Sequence, residues 1–233
     1  MPLSLLILVA AIQGLTEFLP ISSSGHLVLI PIVTDFAYQG RVIDVAAHVG
    51  TLIAVAFYLR TEIIAIAVAM LRFGRTDPDH ARLGIMLVLA TIPVIIAGYI
   101  VNYANWHWLD MVYSLAIANL VFAVILWFAD KVPATRRDLG QIGLPHALII
   151  GIVQICALIP GASRSGVTMS AARFLGYDRV TAARFSLLLS LPTIAGAGLL
   201  KTLDLVKSGD ATLGADAVIV AVLSAGLAWL AIR

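Results

Sequence analysis

Gln13-Gly14-Leu15-Thr16-Glu17-Phe18-Leu19-Pro20-Ile21-Ser22-Ser23-Ser24-Gly25-His26 is a polar stretch set between two apolar runs, and a second stretch answers it further on. The second reads Pro160-Gly161-Ala162-Ser163-Arg164-Ser165-Gly166-Val167-Thr168. Counting from 13 to 154 and from 22 to 163, Gln13 and Gln154 are 141 positions apart, and so are Ser22 and Ser163. Pro20 and Pro160 agree to within one residue. Each stretch precedes a short apolar segment, about Ser22–Val33 and about Ser163–Leu175. A helix needs ~20 apolar residues to cross a bilayer, and a run of about 10–14 reads as a re-entrant piece. Two such half-length pieces at matching positions are the sequence sign of a membrane site at a repeat interface.

The rest of the chain agrees with a membrane setting. Of its 233 residues, 61% are hydrophobic and only 12% charged. A soluble domain is about half apolar and about a quarter charged. The apolar runs are continuous rather than alternating, which selects helices over a barrel. A net charge of +2 gives no reason to expect nucleic acid as a partner. The single cysteine, Cys156, excludes an internal disulfide and a Cys-rich metal site, and reads as a packing residue. Residues 1–11 resemble the apolar part of a signal peptide but lack a basic start, and Gln13 and Glu17 follow on the same pattern. They are expected to be retained structure.

The expected fold is an all-α membrane protein, one integral membrane domain over 1–233. It is expected to be an inverted-topology repeat with two re-entrant helix hairpins and about five transmembrane helices. Repeat one covers about 3–130: segments Leu3–Leu19, Ser22–Val33, Val42–Leu59 with an extension to Leu71, Leu83–Val101 and Met111–Ala129. Repeat two covers about 143–233: Leu144–Ile159, Ser163–Leu175, Val180–Leu200 and Ala215–Ile232. It has no counterpart of Met111–Ala129. Three crossings follow the first hairpin, an odd number, so the second repeat starts from the opposite side. The positive-inside rule agrees. Arg60, Arg72, Arg75, Arg82, Lys131, Arg136 and Arg137 fall on one side, joined by Arg173, Arg179 and Arg233. The other side receives Arg41, Lys201 and Lys207, with Tyr103, Trp106, Trp108 and Tyr113 as an interfacial belt. The first hairpin then dips from outside and the second from the cytoplasm, with their tips meeting near the midplane.

Gln13 and Glu17 share a helix face at i and i+4. A carboxylate at membrane depth costs ~2.5–3.5 kcal/mol even on lenient scales, so Glu17 needs a cation, a proton or water. His26, Ser22, Ser23 and Ser24 stand in the same stretch. In the second stretch Ser163, Ser165 and Gly166 open a short helix whose N–H groups form an anion cradle. Arg164 adds a planar, permanently charged fork that fits phosphate oxygens. The bland readings are a structural Glu, plain N-cap serines and an Arg that snorkels to the surface. Elsewhere, Asp44 and His48 read as a mutual structural pair, His107 and His146 as interfacial, and Arg184 as paired within the bundle or reaching headgroups. Pro93 and Pro192 read as mid-helix kinks. The residues together specify an anion site inside a bilayer, for a ligand with an anionic head and a lipid tail.

At these two stretches the chain resembles the undecaprenyl-diphosphate phosphatase family, also called bacitracin-resistance proteins. The first family motif is matched by Gln13, Glu17, Leu19-Pro20, Ser22-Ser23 and Gly25-His26, the second by Pro160-Gly161-Ala162-Ser163-Arg164-Ser165-Gly166-Val167-Thr168. The stretch Phe185–Pro192 also fits, and the resemblance covers nearly the whole chain. It implies hydrolysis of undecaprenyl diphosphate to undecaprenyl phosphate and inorganic phosphate, recycling the lipid carrier of cell-wall synthesis. It further implies the bacterial cytoplasmic (inner) membrane, with the active site opening toward the periplasmic face, and a divalent cation, Mg²⁺ or Ca²⁺. By resemblance Glu17, His26 and Arg164 are catalytic. Ser22, Ser23, Ser24, Gly25, Ser163, Ser165, Gly166 and Thr168 bind the substrate phosphates, and Glu17 with Gln13 meets the metal. Gln13 is the less acidic of the two family options and adds no charge. A C55 isoprenyl diphosphate is the expected partner; a homodimer is compatible with the sequence. Family members usually continue past Arg233 with a basic loop and one more span.

Two rivals share these features. A polyprenyl-phosphate transporter or flippase uses inverted repeats with broken helices; an acid, an imidazole and a guanidinium together favour hydrolysis. Ser24-Gly25-His26 also mimics an element of another lipid-phosphatase class, but Ser163-Arg164 lacks the His and Asp that class places after it.

Overall fold

A computed structural model describes the backbone of residues 1–104, 112–208 and 211–232 and the side chains of all but 102–112, 200–211 and 233. Tyr103, Trp106, His107, Trp108, Lys201, Lys207 and Arg233, placed above near the membrane faces, lie outside the described side chains. Among the described residues ten α-helices follow one another: α1 Leu3–Thr16, α2 Ser23–Val33, α3 Arg41–Tyr58, α4 Arg60–Leu71, α5 Pro78–Ala104, α6 Val112–Asp130, α7 Leu144–Val153, α8 Arg164–Phe174, α9 Arg179–Ser208 and α10 Ala211–Ile232. The only β pairing among them is one bridge between Arg136 and Tyr177. Five helices, α3, α5, α6, α9 and α10, are long and apolar enough to cross a membrane. The chain is therefore an all-α, multi-pass membrane protein. The shorter apolar pieces are α1, α2 and α7 with the 3-10 turn Gln154–Leu158 that follows it.

Local chemistry sets most helix starts. Asp77 accepts from the His80 N–H at 3.1 Å, and Pro78 supplies a preset φ at the first position of α5. Asp178 accepts from the Thr181 N–H at 2.7 Å and starts α9. This backbone bond, and then the bond from the Thr181 side chain, hold the Asp178 carboxyl below the usual carboxylate range. Gly176, with φ +86°, ends α8 by donating its N–H to the Arg173 carbonyl at 2.9 Å. The segment expected over Val42–Leu59, with an extension to Leu71, forms two helices that part at Leu59. On α4, Glu62 accepts from Arg184 Nη2 at 2.7 Å.

The chain divides into two compact units, residues 1–58 with 191–233, and residues 59–190. In the first, α10 is the main partner of α3 and also packs on α1. Lipid gives no hydrophobic drive between helices, so close backbone approach must hold them. Two glycines permit it. A Cβ on Gly50 would run into the Ala221 carbonyl oxygen, and one on Gly14 would lie 2.8 Å from the Leu227 Cβ. Leu6, Val9, Leu27, Ile30, Ile43 and Val220 fill the space between these helices. In the second unit α5 packs on α7 and α6 on α8. Gly151 lets α7 rest on the Ala90 carbonyl of α5, and Gly161, with φ +93°, lies against the Leu115 carbonyl. Thus the first helix of each proposed repeat packs on the fourth segment of the other: α1 on α10, α7 on α5.

Large apolar side chains such as Leu3, Val33, Ile95, Leu120 and Val218 remain exposed on these helices. That surface would be a liability in water and is the expected covering for a chain solvated by lipid.

Candidate active site

The first polar tip is built from three helices of the first unit. One turn of α1 brings Gln13 and Glu17 together, and Gln13 Nε2 donates to Glu17 Oε2 at 2.8 Å. From the start of α2, Ser23 Oγ donates to the same oxygen at 2.7 Å. From α3, His48 Nε2 stands 3.6 Å from that oxygen, and Thr51 Oγ1 is 3.5 Å from Gln13 Nε2. Glu17 is 8% exposed and Gln13 is 0% exposed. Hydrogen bonds to an ionised acceptor are the strong kind, and they offset part of the cost of keeping a carboxylate out of water. Gln13 Oε1 is buried without a hydrogen-bond partner.

His26 lies one turn into α2. Its Nδ1 is 2.7 Å from the Ser22 carbonyl oxygen. A carbonyl only accepts, so Nδ1 carries the proton, and the neutral ring presents the Nε2 lone pair to its surroundings. Ser22 is the N-cap: its Oγ accepts from the Gly25 N–H at 3.1 Å and lies 3.2 Å from Ser24 Oγ.

The second tip, in the second unit, repeats this cap. Ser163 Oγ accepts from the Gly166 N–H at 3.3 Å and lies 3.3 Å from Ser165 Oγ. The backbone differs: Ser163 has φ +52°, a left-handed conformation that costs a non-glycine residue ~1–2 kcal/mol, whereas Ser22 has φ −76°. Arg164 follows as the first residue of α8. Thr168 Oγ1 donates to the Arg164 carbonyl at 2.9 Å and lies 2.7 Å from Ser186 Oγ on α9, both hydroxyls being buried. Thr168 therefore fixes the first turn of α8, the turn that carries Arg164.

His48, Thr51 and Ser186 are the residues that sequence reasoning missed. Asp44 and His48 were expected to pair with each other through their side chains. Instead the Asp44 carboxylate accepts from Tyr38 Oη at 2.6 Å and Gln39 Nε2 at 2.7 Å. His48 Nδ1 bonds the Asp44 backbone carbonyl at 2.7 Å, which turns the rest of its ring toward Glu17. The only signal was the i, i+4 spacing, and it pointed to the wrong partner atom.

Among the described residues no three His, Cys, Asp or Glu side chains converge on one point. What the first tip offers a cation is one carboxylate and one buried, unpartnered amide oxygen, Glu17 and Gln13. Such hard oxygen donors fit Mg²⁺ or Ca²⁺.

A family model described as "Bacitracin resistance protein BacA" matches residues 6–233, a span that includes both tips. The chain belongs to the BacA family. Several curated BacA-like relatives carry the name undecaprenyl-diphosphatase. The protein of Dinoroseobacter shibae is 47% identical over 233 residues, covering 97% of this chain and 86% of its own length. That of Maricaulis maris is 46% identical over 239 residues, covering 100% and 88%. That of Teredinibacter turnerae is 48% identical over 207 residues, covering 88% and 78%.

Proposed function

We propose that this BacA-family chain hydrolyses undecaprenyl diphosphate to undecaprenyl phosphate and inorganic phosphate, recycling the lipid carrier for cell-wall synthesis. The observation that carries this is near-half identity, along almost the full chain, to proteins named for that activity. The polar tips supply suitable chemistry. Arg164 with the N–H groups opening α8 at one tip, and the N–H groups opening α2 at the other, are each suited to neutralise phosphate oxygens as charge moves to the leaving oxygen. His26 Nε2 takes the proton from an attacking water, or attacks the terminal phosphorus itself. In either case the bond from that phosphorus to the bridging oxygen breaks and the lipid monophosphate leaves; after direct attack, water then cleaves the new nitrogen–phosphorus bond, releasing inorganic phosphate and restoring the imidazole. Ser22 holds the imidazole tautomer through its carbonyl. Ser23 and Gln13 hold Glu17 in place.

Glu17 and Gln13 would hold a divalent cation, whose chemistry when bound is to neutralise phosphate oxygens as a Lewis acid. The enzyme works in the bacterial cytoplasmic membrane, its site opening to the outer face. The run of Arg60, Arg72, Arg75, Arg82, Lys131, Arg136 and Arg137, in and beside the α3–α5 and α6–α7 connections, supports that orientation.

The test is phosphate release by the purified chain in detergent, from a C55 diphosphate, with and without divalent metal. Release is expected, and its loss in Glu17→Ala and Arg164→Ala. Absence of release overturns the assignment; translocation of the lipid without release would put a transporter in its place.

A further inference from the structure

His48 stands in the first tip without a part in the mechanism above. Its Nδ1 lies 2.7 Å from the Asp44 carbonyl oxygen and must carry the ring proton, so the neutral ring has its lone pair on Nε2. That atom is 3.6 Å from Glu17 Oε2. A lone pair facing a carboxylate is repulsive, and 3.6 Å is beyond hydrogen-bond range. The same separation suits two atoms that share one cation, since bonds from nitrogen or oxygen to such ions are about 2.0–2.6 Å. A third electron-pair donor belongs to the side chain that bonds Glu17. Gln13 Oε1 is buried, 0% exposed at the residue level and without a hydrogen-bond partner, while Gln13 Nε2 lies 2.8 Å from the same Glu17 oxygen. The ring is held in this attitude. Its Nδ1 bond runs to the preceding turn of α3, and the Asp44 carboxylate is tied to Tyr38 and Gln39.

We propose that His48 is a ligand of the divalent cation, through Nε2, together with Glu17 and Gln13. This rests on the reading that Glu17 holds a cation. Mn²⁺ takes the same oxygen donors as Mg²⁺ and Ca²⁺ and is paramagnetic, so it serves as the probe ion.

The test uses Mn²⁺ alone, added to the purified full chain in detergent and followed by electron paramagnetic resonance. Bound Mn²⁺ should show coupling to an imidazole ¹⁴N, and labelling the unaltered protein with ring-¹⁵N histidine should convert that coupling without disturbing the fold. His48→Gln should abolish the coupling and weaken Mn²⁺ binding about tenfold or more, whereas His26→Gln should leave the coupling in place. Unchanged coupling and affinity in His48→Gln, with binding abolished by Glu17→Gln, overturns the assignment of His48 and leaves Glu17 as the cation's residue. Unchanged binding in Glu17→Gln, or no binding by the unaltered protein, overturns the underlying reading as well.

Discussion

The two polar tips begin alike and diverge within one turn. In each, a serine caps a short helix by accepting from a glycine N–H three residues on, and a second serine hydroxyl lies beside the first. The first tip then turns its side chains on one another, Gln13 and Ser23 on the buried Glu17. In the second, Thr168 bonds the Arg164 carbonyl of its own helix and Ser186 of α9. Where the first cap is followed by Ser23, the second is followed by Arg164, and its cap residue takes a left-handed backbone. One local frame thus carries an acid and an imidazole in one copy and a cation in the other. The serine cap is common to both tips, and the side chains set around it differ.

The strongest test of this division of labour is activity. Glu17→Ala, His26→Gln and Arg164→Ala should each lower kcat by about 10²-fold or more in phosphate release, with melting temperature nearly unchanged. The helix contacts come next. Gly50→Val and Gly151→Val each force a side chain into a carbonyl of the facing helix, so each should lower stability by about 1–3 kcal/mol in detergent melts. The caps then separate the tips. Ser22→Ala and Ser163→Ala should each cost about 1 kcal/mol. Ser163→Gly should cost less than Ser22→Gly, because only position 163 has a backbone that glycine relieves. Equal penalties would break the comparison. The smallest effect belongs to Asp178, at the turn into α9. Its folded-state pKa is depressed, so its contribution is present above the unfolded carboxylate value and lost as pH falls through the folded one. Asp178→Asn should lower the melting temperature slightly near neutrality, and the difference from the unaltered protein should vanish as pH falls below the ordinary carboxylate range.

Much of this was readable in the chain because lipid makes strict demands. Five apolar runs long enough to cross, two runs too short to cross, and a 141-residue echo between Ser22 and Ser163 all had direct structural counterparts. Residues within one tip were also accessible, since Gln13 and Glu17 are neighbours on one helix. What the sequence could not show was contact between segments. Nothing in the spacing of α3 says that His48 faces Glu17, or that Ser186 reaches Thr168. The end of the crossing segment near Leu59 was legible, but the partner of Glu62 on α4, far along the chain at Arg184, was not.

Glu17 and His26, the acid and the imidazole of the first tip, are assigned to one phosphoryl transfer. A double-mutant cycle on Glu17→Gln and His26→Gln, read as kcat/KM for phosphate release from the C55 diphosphate, measures their coupling. The double variant should lose far less than the product of the two single losses, because both residues act on the same transition state. Losses that multiply would mean that the two residues work independently, and would contradict that assignment.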